Sequence, residues 1–173
     1  MVDAVLDGDR DAFRLIVDQS QGPVFRVCLR VMGSVADAED VAQESFVTAF
    51  RSLGTYRGDG PLVAWIVRIA TRAALRRRAQ RPATTDLAAA HGVTTGASDP
   101  LLLTVAQERR DAVRNAVAAL DEPYREVVVL RFFGELSLEE VAQTTGRNVN
   151  TIKTQLRRGL QRLAADIGTE ASA

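Results

Sequence analysis

The chain is 173 residues long, balances 22 Lys and Arg against 22 Asp and Glu, and is nearly half hydrophobic. That length accommodates one domain or two small ones, and the composition excludes wholesale disorder. A single cysteine and a single histidine exclude a disulfide framework and a metal site built from several imidazoles.

The zero formal net charge hides segregation, since cations cluster in two stretches and acids concentrate elsewhere. Asp3, Asp7 and Asp9 stand where a signal peptide would need cations. No stretch approaches the ~18 apolar residues of a membrane span, so a soluble, cytoplasmic protein without membrane insertion is expected.

The first predicted helix runs from about Asp9 to Gln19, with Phe13, Ile16 and Val17 on one side. A second starts at Pro23 and ends near Gly33, and Cys28 within it reads as a small core residue. In the third, Ser34 can cap, and Ala38, Val41, Ala42, Phe46, Ala49, Phe50 and Leu53 trace an apolar stripe up to Gly54. Its other sides carry Asp37, Glu39, Asp40, Gln43 and Glu44. Like charges at i and i+4 cost helix stability. The helix dipole accounts for Asp37 in the first turn but hardly for Glu44; a protein-docking face accounts for the whole set.

A loop from Gly54 to Gly60 leads to Pro61 at the first turn of a fourth helix, whose buried side is Trp65, Ile66, Ile69, Ala70 and Ala73. Arg68, Arg72 and Arg76 repeat every four residues, and Arg77, Arg78 and Arg81 extend them without an intervening acid. A folded bundle does not require such a file, and nucleic-acid contact is the reading it supports. Residues 81–104, rich in Ala, Thr and Gly and holding His91, show no sustained period and read as a flexible linker. They separate a block over 1–80 from one over 105–168, with a tail at 169–173.

The segment from Leu120 to Leu163 reads as two short amphipathic helices and a turn before a cation-rich helix. Ser137 and Glu140 form a capping box, Leu136 and Val141 occupy the hydrophobic staple positions, Gly146 can take positive φ, and Asn148 can cap the next helix. Ile152, Leu156, Leu160 and Leu163 then form one predicted buried stripe. Arg147, Lys153, Arg157, Arg158 and Arg162 leave the remaining surface cationic, with Asn150, Thr151, Thr154 and Gln155 among them. Guanidinium and ammonium groups suit phosphates, while amides and hydroxyls suit base edges. A helix-turn-helix follows.

These motifs together resemble the extracytoplasmic function (ECF) sigma factors of the bacterial sigma-70 family. Asp37 to Leu53 resembles that family's region 2.2, Gly60 to Arg78 its regions 2.3 and 2.4, and Leu120 to Leu163 its region 4. The resemblance implies an all-α fold of two small helical domains, sigma2-like and sigma4-like, joined by a flexible linker. It implies a non-enzymatic initiation factor without cofactor or metal, bound to RNA polymerase core through the beta prime clamp helices and the beta flap. Asp37, Asp40, Gln43 and Glu44 are the implied polymerase contacts. Tyr56, Arg57, Trp65, Arg68, Arg72 and Arg76 are implied at minus 10 promoter DNA, with Tyr56 and Arg57 beside an extruded base. Arg147, Asn148, Asn150, Thr151, Lys153, Thr154, Arg157 and Arg158 are implied at the minus 35 element. An anti-sigma factor is a further implied partner.

The chain also departs from that family's pattern. Arg72 and Arg76 stand where members typically carry Asn and Asp, Arg147 where an apolar residue is usual, and Gly159 in place of the usual Ala. More phosphate attraction with less base discrimination is expected, and a soft end to the last helix, because Gly costs roughly 1 kcal/mol of propensity. Two rivals stand beside this expectation. A stand-alone helix-turn-helix regulator would not need the acid cluster, and a metal-dependent enzyme would use Asp37, Glu39, Asp40 and Glu44 as ligands.

Overall fold

The N-terminal half is organised around one long helix. In the computed structural model, which describes residues 1–80 and 100–170, a short α1 (Val2–Leu6) precedes α2 (Arg10–Met32). The Asp9 carboxylate opens α2 by accepting from the amides of Asp11 and Ala12 at 2.9 and 3.1 Å. Gly33 closes it in the left-handed region, at φ 77°.

The two helices expected on either side of Pro23 are therefore one. Proline removes a backbone donor and costs about 3 kcal/mol inside a helix. Here Ile16 before it and Val24, Val27, Cys28 and Val31 after it are all buried at 2% exposure or less. Each such side chain contributes about 1.5–3 kcal/mol on burial, so packing along both halves outweighs the break.

Ser34 caps α3 (Val35–Ser52), accepting from the Asp37 amide at 3.4 Å. A 3₁₀ turn, Leu53–Thr55, then leads toward α4 (Leu62–Ala79). Helices α2, α3 and α4 pack on one another around Val27, Val41, Ala49, Ile66, Val67 and Ala70. Phe50, expected in the stripe, is 45% exposed and instead meets the Phe13 ring edge to face at 4.9 Å.

The C-terminal half comprises α5 (Pro100–Ala119), α6 (Tyr124–Val128), a π-helical turn (Val129–Phe133), α7 (Leu138–Thr145) and α8 (Val149–Glu170). Of the segment expected to be linker, residues 81–99, with Arg81 and His91, lie outside the described residues. Residues 100–104 belong to α5, because proline suits the first position of a helix. The expected tail is likewise shorter: α8 extends to Glu170, and 171–173 lie outside the described residues.

Local capping follows the sequence closely. Ser137 Oγ accepts from the Glu140 amide at 3.1 Å while the Glu140 carboxylate accepts from the Ser137 amide at 2.8 Å. Gly146 ends α7 at φ 67°, and Asn148 Oδ1 accepts from the Asn150 amide at 2.8 Å to start α8.

The stripe on α8 differs at one position. Ile152 and Leu163 are buried and Leu156 is half-buried, but Leu160 is 41% exposed. Gly159 takes its place. A Cβ there would lie 2.9 Å from Val128 Cγ2 and 3.4 Å from Tyr124 Cβ, so α8 crosses α6 at a distance only glycine permits. With about 100° per residue, a helix that aims position 159 at α6 turns 160 toward solvent. The expected weak point of α8 is thus its closest contact.

Candidate nucleic-acid interface

The acid cluster of α3 lies where its spacing predicts, on the side away from the core. Asp40, Gln43 and Glu44 are exposed and Asp37 is half-buried. Arg77, one helix away on α4, reaches between Asp40 and Glu44 at 3.7 and 3.8 Å. All three side chains are well exposed, so these pairs contribute little stability and leave the face largely acidic.

After α3, Tyr56 and Trp65 stand together with ring centroids 5.6 Å apart, and Tyr56 Oη donates to the Gly60 carbonyl. Both rings are half-buried and Arg57 is exposed. With Arg68 they line one side of a cavity of about 260 Å³. Its other side is Gln143 to Gly146, from the end of α7 in the other half of the chain.

The arginine file of α4 divides. Arg76 and Arg77 are exposed, and Arg78 donates to the Val31 carbonyl at 3.0 Å. Arg68 and Arg72 instead converge on Glu126 of α6. Their Nε atoms both lie 3.1 Å from Glu126 Oε1, while Arg147 Nη2 donates to Oε2 at 2.7 Å. Burial pushes the Glu126 carboxyl pKa up, but the charge and hydrogen bond of Arg68, with Arg72 and Arg147, outweigh it and leave it below the usual carboxylate range. For Arg68 the balance is opposite: burial, only partly offset by Glu126, lowers its pKa.

Glu126 is the residue that sequence reasoning missed. It lies 58, 54 and 21 residues from its partners, beyond any local pattern. The one signal was indirect: an arginine file without acids needs counter-charge from elsewhere, and Glu126 is an acid placed directly before the apolar run Val127 to Leu130.

On α8 the expected base-facing residues stand apart from this cluster. Asn148, Asn150, Thr151, Lys153, Thr154, Arg157 and Arg158 are all exposed. They present amides, hydroxyls and cations from the first turns of a helix that follows a capped helix and a glycine turn. A recognition helix in a major groove offers its base contacts from this region.

Residues 16–83 match the family model of sigma-70 region 2, and residues 110–163 match that of sigma-70 region 4. The chain is 32% identical over 169 residues to the ECF RNA polymerase sigma factor SigW of Bacillus subtilis, spanning 92% of this chain and 90% of SigW. The chain belongs to the ECF sigma factors.

This ECF sigma factor is also 32% identical over 166 residues to the ECF RNA polymerase sigma-E factor of Escherichia coli, covering 90% and 86% of the two chains. Its fold matches CnrH, solved with the cytosolic domain of CnrY, at a TM-score of 0.65 and 21% identity over 97% and 95% of the chains. It also matches the sigma factor RpoE of Bartonella quintana, solved with the anti-sigma factor NepR, at 0.57 and 19% over 91% and 97%. The ECF sigma factor is accordingly an alternative sigma subunit that directs RNA polymerase to promoters. No described helix is long and apolar enough to cross a membrane.

Proposed function

We propose that residues 1–80 form the polymerase-docking and minus 10 half of this sigma factor, and residues 105–168 its minus 35 half. The acid face of α3, through Asp37, Asp40, Gln43 and Glu44, docks on the beta prime clamp helices. Tyr56, Arg57 and Trp65 hold an extruded base while Arg68, Arg72 and Arg76 follow the strand backbone. Arg147 to Arg158 meet the minus 35 duplex, with the beta flap behind them. The observation that carries the α8 assignment is its uninterrupted exposed row of Asn150, Thr151, Lys153, Thr154, Arg157 and Arg158.

An anti-sigma partner fits the same reading, since one solved relative is bound to such a protein. The acid face separates the sigma reading from a stand-alone regulator. Replacing Asp40→Lys together with Glu44→Lys is expected to abolish capture of core polymerase while leaving duplex binding intact. Unchanged capture would remove the α3 acid face from the polymerase contact.

A further inference from the structure

We propose that this ECF sigma factor closes on itself, with Glu126 standing in for a backbone phosphate on the arginines of the minus 10 half. The proposal rests on the DNA-binding reading above and adds a condition to it: α4 reaches a strand only after the two halves part.

Three observations carry the proposal. First, the two oxygens of the Glu126 carboxylate, on a side chain 7% exposed, accept from Arg68, Arg72 and Arg147. Guanidinium forks bind carboxylates and phosphates with the same geometry, so Glu126 and a phosphate compete for the same donors. Second, the cavity beside Tyr56 and Trp65 is walled by Gln143 to Gly146, and Arg68 Nη1 donates to the Thr144 carbonyl. A base held in that cavity would lie against the end of α7.

Third, the apolar contacts of the seam, among them Gly134 against the buried Val67, are edged by a polar rim. Arg30 donates to the carbonyls of Phe132 and Phe133 at 3.1 and 2.9 Å and pairs with Glu135, which also faces Arg26 at 3.7 Å. Arg114 donates to the Arg30 carbonyl at 3.0 Å. Glu135, Arg26 and Arg30 are 40–51% exposed, and contacts of this kind are weakened by salt. Closure is therefore weakest along this rim. It is also selective: apart from Arg147, which Glu126 holds, the duplex-facing row of α8 stays outside the seam, so duplex remains accessible while single strands are refused.

Two experiments on the full chain test this. Glu126→Gln keeps the shape but not the charge. The variant is expected to bind a mixed-sequence single-stranded oligonucleotide about tenfold tighter than wild type. Its log K against log salt should be steeper by about 0.7 for each arginine released. Its radius of gyration by small-angle scattering should rise, while duplex affinity changes much less. Unchanged single-strand affinity with an unchanged radius overturns the proposal.

The second experiment does not depend on Glu126. A Cβ on Gly60 lies 3.0 Å from Gln143 Cβ, so the two positions reach the ~3.5–4.5 Å Cβ separation of a disulfide once they part by about 0.5 Å. The Gly60→Cys/Gln143→Cys protein should therefore cross-link on oxidation, lose single-strand binding, and regain it on reduction. Failure to cross-link, or full binding by the cross-linked form, overturns closure. Failure of the sigma reading is separate: neither protein would then capture core polymerase, whatever its affinity for oligonucleotide.

Discussion

Arg72 Nη2 on α4 and Glu126 Oε1 on α6 lie 3.0 Å apart across the boundary between the two halves, and they are unequal partners. The Arg72 side chain is 56% exposed, whereas that of Glu126 is 7% exposed. Water can replace the carboxylate for Arg72, whereas the buried Glu126 oxygens accept from Arg68, Arg72 and Arg147. Arg72→Ala is therefore expected to cost at most about 1 kcal/mol, since Arg68 and Arg147 remain. Arg68→Ala removes the more deeply set partner, 20% exposed, and is expected to cost about 1–3 kcal/mol. Urea unfolding of the two variants beside wild type measures the difference.

Acid should loosen the same junction. The Glu126 pKa is held below its unfolded value of about 4.3. Its contribution is thus complete above that value and lost as pH falls through the lower folded value. Glu135, lowered by its hydrogen bond to Arg30 and by that charge, acts in the same direction. Thermal stability should fall below about pH 4 more steeply in wild type than in the Glu126→Gln/Glu135→Gln double variant. Parallel curves would remove these two groups from the acid response.

Cys28 is fully buried in α2, and burial pushes its thiol up to about 12. Because the thiolate is the reactive form, Ellman's reagent should titrate no thiol in the native protein and one after denaturation. Rapid native labelling would mean that α2 opens locally.

Gly159→Ala sets helix propensity against packing. Alanine gains about 1 kcal/mol of propensity, but its Cβ would sit 2.9 Å from Cγ2 of Val128, a stiff side chain only 2% exposed. Overpacking of this kind costs about 1–3 kcal/mol, so a lower melting temperature is expected. Adding Val128→Ala should recover less than its own cavity cost but show favourable coupling in a double-mutant cycle.

Arg157 is exposed on α8. If it neutralises one phosphate of duplex DNA, Arg157→Ala should reduce the salt slope by about 0.9 without changing thermal stability. An unchanged slope would remove Arg157 from the interface.

What could be read from the residues alone divides along sequence distance. The Ser34 cap, the Ser137 and Glu140 box, the Gly146 turn and the Asn148 cap each join groups within four residues, and each appears in place. Pro23 misled because a local rule was applied where packing along both sides of the helix decides. Leu160 misled because an apolar stripe is read from side chains, and the contact that fixes the rotation of α8 is a glycine with none. The polar row of α8 was legible, being a surface pattern within one helix. Glu126 was not: its role exists only once α4, α6 and the α7–α8 turn meet.

The glycine at 159 has one more effect. With no side chain between them, α6 and α8 pack directly at this position, and α6 carries Glu126. The counter-ion and α8 therefore share one packed unit. Any swing that carries α8 away from the N-terminal half withdraws the carboxylate from Arg68 and Arg72 in the same stroke.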